Sequence, residues 1–147
     1  MAQPKFDNRM EWENFIMLKV YGLKNCDSCR NAMKWLEKSG IESEFYDFRD
    51  KGIDRASLVK WIDLVGWENL LNRRSTTWRT LTTEITRSID GNSVIDLMLE
   101  KPVLIKRPVF EQHAKVLIGF KETQKKELKS LSTEVMTGNL IYKVNSK

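Results

Sequence analysis

Two cysteines three positions apart, Cys26 and Cys29, are the residues of this chain best suited to chemistry. They lie between an apolar run, residues 18–21, and a helix-like run, residues 31–38. A thiol in the first turn of a helix faces unpaired N–H groups and the positive end of the helix dipole, and both stabilise a thiolate. Because the thiolate is the nucleophile in sulfur chemistry, this position predicts a redox or thiol-transfer function.

The sequence around Cys26 predicts a moderately lowered pKa for its thiol. Lys24 and Arg30 favour the thiolate, whereas Asp27 opposes it. Cys29 follows one helical turn later, where it could attack a mixed disulfide on Cys26 and leave an internal disulfide. The alternative is that Cys29 is a passive neighbour and that glutathione resolves the adduct.

The composition predicts a single soluble domain. The chain has 147 residues, of which 41% are hydrophobic and 31% are charged, so it can bury a core and has the balance of a globular protein. No apolar stretch approaches the roughly 20 residues that span a bilayer, and residues 1–16 lack the apolar core of a secretory signal. We therefore expect a cytoplasmic protein with no membrane partner, in which two cysteines indicate catalysis or metal binding rather than a structural disulfide.

A metal site is not expected. The two cysteines and the single histidine, His113, supply at most three soft ligands, whereas structural zinc sites use four. The lone histidine also argues against most hydrolase schemes. The net charge of +5 is compatible with an acidic partner, but the lysines of residues 121–129 alternate with glutamates, which indicates a solvated helix face.

The elements expected to position the cysteines form a βαβ unit. Residues 18–21 predict a strand, a helix runs from Cys26 to about Lys38, and residues 44–48 predict a second strand. Gly40 is suited to end the helix. A right-handed crossover makes the two strands parallel.

A helical insertion follows this unit. Its expected elements are a helix over residues 54–65 capped by Asp54, a short turn over 67–71, a loop over 72–79, and short helices over 83–89 and 93–100.

A hairpin and a last helix complete the predicted order. The hairpin strands are expected at 103–105 running into 107–110, and at 116–118, with a charged helix over about 122–131. Residues 17–131 then form the domain, residues 1–16 an N-terminal extension and residues 132–147 a C-terminal tail.

The order βαβ, helical insertion, ββα, with CxxC at the first helix and a proline opening the hairpin, is typical of an α/β thioredoxin-like fold. Three segments carry a closer resemblance: residues 23–30 (LKNCDSCR), 71–79 (LNRRSTTWR) and 102–109 (PVLIKRPV). The first and the third resemble the arsenate reductase and Spx (ArsC-like) family, and the second resembles its YffB-like branch. The resemblance covers about residues 17–131.

The resemblance implies roles for individual residues. Cys26 takes the position of the attacking thiol, with Cys29 as its candidate resolving partner. Arg107 takes the position of an arginine that precedes a cis proline, Pro108, and helps to hold an oxyanion; arginine offers a rigid fork of donors for such a group. Arg30 matches a basic position in the active-site helix.

Substrate contacts are also expected from Asn25 and from the loop arginines. Asn25 either donates its amide near the thiolate or shapes the turn. Asn72 stands where arsenate reductases carry an arginine, so Arg73 or Arg74 is expected to substitute for it. A further basic residue near the second hairpin strand has no clear counterpart around residues 119–120. The motifs therefore indicate the family without fixing the substrate.

The implied function is that of a thiol-dependent oxidoreductase acting on a small-molecule or protein disulfide. Members of the YffB-like branch are proposed to be glutathione-coupled, so glutathione is the expected co-substrate. Glutaredoxin or thioredoxin are the other expected electron donors, and no bound cofactor is implied. The alternative is a redox-sensing regulator similar to Spx, in which the CxxC pair is a switch and the body binds RNA polymerase.

Overall fold

A four-stranded mixed sheet forms the centre of the protein. The computed structural model describes residues 9–137. The strands are β1 (Leu18–Gly22), β2 (Ser43–Asp47), β3 (Val109–Gln112) and β4 (Lys115–Ile118), in the spatial order β2-β1-β3-β4. β1 and β2 are parallel, whereas β3 is antiparallel to both β1 and β4. A βαβ unit and a hairpin are thus joined edge to edge.

Helices cover the sheet and form the insertion between its two halves. In chain order they are α1 (Arg9–Ile16), α2 (Asp27–Lys38), α3 (Phe48–Lys51), α4 (Arg55–Val65), α5 (Trp67–Leu70), α6 (Thr76–Thr80), α7 (Thr83–Ser88), α8 (Ser93–Glu100) and α9 (Glu122–Thr137). Within residues 9–137, no helix combines the length and the apolar character needed to cross a membrane.

Two hydrophobic cores lie on the two faces of the sheet. Adjacent residues of a strand point to opposite faces, and Val109 belongs to one core while Phe110 belongs to the other. The larger core joins the sheet to α4 and α8 through Trp61 and Met98. The smaller core joins it to α2 and α9, where Leu36 of α2 is fully buried. Burying one such side chain contributes about 1.5–3 kcal/mol, so this core holds α2, and with it the CxxC pair, against the sheet.

The observed topology confirms the predicted thioredoxin-like fold with a helical insertion. The parallel pairing of β1 with β2 is confirmed, and α2 ends at Lys38 as expected. Gly40 has a φ of 72°, a left-handed conformation that glycine adopts without strain. The Asp54 carboxylate accepts the N–H of Ser57 over 2.7 Å and caps α4.

The segment before β3 is not the predicted strand. Pro102–Leu104 form a 3₁₀ turn, and β3 begins at Val109. Pro102 suits the start of this turn because its missing N–H is not needed there. The N–H of Ile105 donates to the carbonyl of Pro102 over 2.9 Å, and Ile105 meets Leu71 in an isolated bridge. A short buried apolar run looks alike in a strand and in a packed turn, so periodicity could not separate the two.

Three further segments differ from the predicted pattern. The loop predicted over residues 72–79 contains most of α6, which begins where the Ser75 hydroxyl accepts the N–H of Trp78 over 3.1 Å. The N-terminal extension contains α1, and α9 continues past residue 131 to Thr137. Residues 1–8 and 138–147, which complete the predicted extension and tail, lie outside the described residues.

Candidate active site

Cys26 occupies the N-terminal cap of α2, directly after the turn that leaves β1. Its backbone is extended, with φ −103° and ψ 123°, and its carbonyl accepts the N–H of Arg30 over 3.0 Å. Its own N–H donates to the carbonyl of Leu23 over 3.2 Å and closes the turn. The thiol therefore stands where a serine or an aspartate usually caps a helix, beside the unpaired N–H groups of the first turn.

The pKa of the Cys26 thiol lies below its usual value. Burial alone would raise this pKa, but hydrogen bonds from the backbone N–H and the thiol of Cys29, together with the hydrogen bond and charge of Arg107, outweigh that effect. Each of these groups favours negative charge on the sulfur. The lowered pKa of Cys26 agrees with the prediction, but the groups that lower it are Cys29 and Arg107 rather than Lys24 and Arg30.

Cys29 has the opposite character. It is 1% exposed, and burial, with a further contribution from the adjacent Cys26, raises its pKa to about 12. Cys29 therefore remains a neutral thiol that donates to the Cys26 sulfur. Gly22, the last residue of β1, makes room for it, because a Cβ atom at this position would overlap the Cys29 Sγ.

Arg107 is fixed beside the thiols by backbone carbonyls. Its Nη1 donates to Val103 and Ile105 over 3.0 and 3.3 Å. Its Nε is buried and has no hydrogen-bond partner among the described residues. The peptide bond between Arg107 and Pro108 is cis, as the resemblance implies. A guanidinium held in this way can present donors to a negatively charged sulfur or an oxyanion.

A solvent-open cavity of about 850 Å³ connects Cys26 with the insertion and the hairpin. This volume falls within the range of small-molecule sites. Its charged lining consists of five cations and one carboxylate: Arg73, Arg74, Lys106, Arg107, Lys121 and Glu68. None of these six side chains forms an ion pair within the part of the chain that the structure describes. The excess of positive charge favours an anionic ligand.

Two aromatic side chains hold Arg73 at the wall of this cavity. Its guanidinium carbon lies 5.7 Å from the ring centre of Trp67 and 5.9 Å from that of Trp78, distances at which cation–π attraction acts. Asn72 shapes the neighbouring turn, where its Oδ1 accepts the N–H of Arg74 over 3.1 Å. Arginines thus line the cavity next to the asparagine that departs from the family pattern.

The cavity brings together several residues predicted from the sequence. Cys26, Arg73 and Arg107 line it, and Cys29 is buried next to Cys26. Pro108, directly after Arg107, is buried, and its carbonyl accepts the N–H of Gly119 over 2.9 Å. Its contact with the hairpin is therefore made by the backbone.

Arg30 and Asn25 are not among the residues that line this cavity. Arg30 donates to the carbonyl of Lys24 over 3.1 Å, pairs with the carboxylate of Asp27, and lines a separate cavity of about 290 Å³. Local polar groups thus hold the Arg30 side chain outside the Cys26 cavity, and its role in stabilising negative charge at the site stays a prediction. Asn25 is exposed in the turn before Cys26.

Two lysines of the cavity were not identified from the sequence. Lys121 lines the cavity and follows residues 119–120, where the resemblance requires a basic residue. It is also the first residue of a charged run, and this pattern predicts a solvated helix face instead. Lys106 precedes the Arg107–Pro108 pair, and this adjacency was the signal that could have identified it.

The fold and the site together define a class, the thiol-dependent oxidoreductases with a thioredoxin-like fold. The CxxC pair lies at the start of α2 and faces an arginine that precedes a cis proline. A model of the ArsC family matches residues 21–128, and the chain belongs to this family.

Similar proteins agree with this assignment. An uncharacterized protein of Haemophilus influenzae is 43% identical over 108 residues, which are 74% of this chain and 95% of that protein. The regulatory protein MgsR of Bacillus subtilis is 30% identical over 105 residues, covering 70% of this chain and 82% of MgsR. A solved YffB protein has 37% identity and a TM-score of 0.73, covering 76% of this chain and 98% of its own. The likeness to YffB agrees with the branch indicated by residues 71–79.

Replacing Arg107 by glutamine is expected to move the pH midpoint of Cys26 alkylation upward, because a charge and a donor that favour the thiolate are lost. Hydrogen bonds to charged groups contribute about 1.5–3 kcal/mol, so alkylation at neutral pH should slow by about one to two orders of magnitude. Iodoacetamide labelling followed by mass spectrometry measures the pH profile. Arg107→Lys keeps the charge without the fork and should give an intermediate midpoint, and Arg87→Gln, on exposed α7, should not change it. An unchanged midpoint in Arg107→Gln would show that Arg107 does not stabilise the Cys26 thiolate.

Proposed function

We propose that this protein is a cytoplasmic thiol reductase that uses glutathione as its co-substrate and Cys26 as its nucleophile. The observation that carries the proposal is the activated Cys26 thiol in a cavity whose charged side chains are mainly cations. The thiolate supplies the attacking atom, and the cations attract a co-substrate that carries carboxylates.

The reaction consists of two thiol–disulfide exchanges. In the first, the Cys26 thiolate attacks the glutathione sulfur of a mixed disulfide; the substrate thiolate leaves and takes a proton from water. In the second, the thiolate of another glutathione attacks the glutathione sulfur that is bonded to Cys26. Oxidised glutathione leaves, and Cys26 returns to a thiolate. The substrate sulfur is reduced and two glutathione units end as one disulfide.

The buried state of Cys29 supports glutathione over Cys29 as the group that resolves the adduct. A thiol must be deprotonated to attack, and the pKa of Cys29 is raised to about 12, chiefly by burial. When Cys26 is bound in the adduct, its negative charge no longer raises the pKa of Cys29. The larger cause, the burial of Cys29, remains. Glutathione reaches Cys26 from the open cavity and does not have this barrier.

The size and charge of the cavity also suit glutathione. About 850 Å³ is more room than a small oxyanion such as arsenate requires, and the arginine and lysine side chains can bind the two carboxylates of the tripeptide. Arg107 lies next to the exchanging sulfurs, where its donors stabilise the leaving thiolate.

The test is turnover of a glutathionylated peptide by the wild-type protein, with glutathione, glutathione reductase and NADPH recycling the donor. Thioredoxin replaces glutathione in a second series, and arsenate replaces the peptide in a third. We expect turnover that depends on glutathione and that prior alkylation of Cys26 removes. Turnover with thioredoxin alone would show that the co-substrate is wrong, and no turnover in any series would overturn the reductase.

The similarity to the regulatory protein MgsR favours a second candidate function. In that case a disulfide between Cys26 and Cys29 would alter a surface that binds RNA polymerase, as the resemblance to Spx implies. Co-precipitation of purified RNA polymerase with the reduced and the oxidised protein distinguishes the two. Binding that depends on the redox state, without turnover, would support the regulator.

A further inference from the structure

One carboxylate, that of Glu68, stands among the five cations that line the Cys26 cavity. Glu68 is an exposed residue of α5 and has no ion pair within 4.0 Å in the described part of the chain. An unpaired carboxylate repels anions, so it would only weaken a site built for anionic groups alone. A ligand that also carries a positive group would gain an ion pair from it.

One wall of the cavity comes from the insertion. The N–H of Lys106 donates to the carbonyl of Leu70 over 2.8 Å, and the N–H of Asn72 donates to the carbonyl of Leu104 over 2.7 Å. The segment that leads to Arg107 therefore lies against α5 and the loop after it. This wall carries Glu68 together with Arg73 and Arg74.

The other wall comes from the end of the hairpin. The N–H of Gly119 donates to the carbonyl of Pro108 over 2.9 Å, which attaches the hairpin to the residue after Arg107. Lys121 follows, with its N–H donating to the Gln124 side chain over 2.7 Å. Arg107 thus lies between two walls. The first carries both signs of charge, and the second carries the positive charge of Lys121.

We propose that Glu68 recognises the ammonium group of glutathione, an inference that rests on the glutathione-coupled function proposed above. Glutathione has an ammonium and a carboxylate at its γ-glutamyl end, and a lone carboxylate at its glycine end. Glu68 with Arg73 matches the first end in charge, and Lys121 matches the second. A tripeptide laid across the cavity in this direction has its thiol in the middle, where Cys26 and Arg107 lie.

Glu68 could instead act locally, since it lies in the first turn of α5, where a carboxylate interacts favourably with free N–H groups. A local role would affect every ligand of the cavity alike. Recognition of an ammonium group would affect only ligands that carry one. The comparison of two ligands therefore separates the two roles, whereas the loss of affinity for one ligand does not.

The test uses the full chain and two unreactive ligands, S-methylglutathione and its des-amino counterpart, in which hydrogen replaces the ammonium group. Both are titrated at low ionic strength, because salt screens exposed charges, and the indole signals of Trp67 and Trp78 are followed by NMR. Glu68→Gln is expected to lower the ratio of the two affinities by about fivefold, the upper range for an exposed ion pair. The matched control is Glu84→Gln on exposed α7, which should leave the ratio unchanged.

Two outcomes would overturn the assignment: a ratio that is unchanged in Glu68→Gln, whether or not both affinities fall together, or no binding of S-methylglutathione to the wild type. Failure of the proposed function looks different. In that case S-methylglutathione binds the wild type, but glutathione supports no turnover.

Discussion

Cys26→Ser is expected to lose glutathione-coupled turnover, whereas Cys29→Ser should keep most of it. Cys26 has the lowered pKa and lines the cavity, and no other described residue can replace its sulfur as the nucleophile, because Cys29 is buried with a pKa of about 12. Removing a nucleophile costs about three orders of magnitude in rate or more. Initial rates with a glutathionylated peptide measure the effect.

The choice of substitution at Cys29 separates its two possible roles. Serine keeps a donor that can bond to the Cys26 thiolate, while alanine removes it. If Cys29 acts mainly as this donor, Cys29→Ala should raise the pH midpoint of Cys26 alkylation more than Cys29→Ser does, because the thiol of Cys29 helps to lower the pKa of Cys26. If Cys29→Ser instead loses turnover as completely as Cys26→Ser, an internal disulfide resolves the adduct and the glutathione route is wrong.

Gly22→Ala is expected to destabilise the protein by about 1–3 kcal/mol, the usual cost of overpacking a core. The new Cβ would overlap the Cys29 Sγ, so the sulfur must leave a site that is otherwise filled. The two thiols would separate as a result, and the Cys26 pKa should rise towards its ordinary value. Urea unfolding of the reduced protein measures the free energy, and the alkylation profile measures the pKa.

The matched control for Gly22→Ala is the same change made in a Cys29→Ala protein. Without the sulfur, the nearest atom of residue 29 to the new methyl group is the Cβ, at an ordinary contact distance of 3.5 Å. Alanine in a strand is also better than glycine by roughly 0.5–1 kcal/mol. The substitution should therefore be neutral or slightly stabilising in this background. An equal loss of stability in both backgrounds would show that the clash is with something other than the Cys29 sulfur.

Local signals were sufficient for the elements that carry the thiols. The apolar run of β1, the turn to Cys26 and the stop at Gly40 act within a few residues of one another, so β1 and α2 could be predicted. The signals failed at residues 102–105, where Leu104 and Ile105 are fully buried against the insertion. Burial by a distant segment leaves the same apolar pattern whether the backbone is extended or turned.

The sequence by itself determined the thioredoxin-like order of elements, the position of Cys26 at the start of α2, and, through a resemblance, the pairing of Arg107 with a cis proline. Only the tertiary structure decided which charges act on the thiol. Lys24 pairs with Asp50 over 2.6 Å and Arg30 pairs with Asp27, while Arg107 is brought to Cys26 from the far half of the chain. Electrostatic energy depends on distance in space and on burial, and neither can be read from positions along the chain.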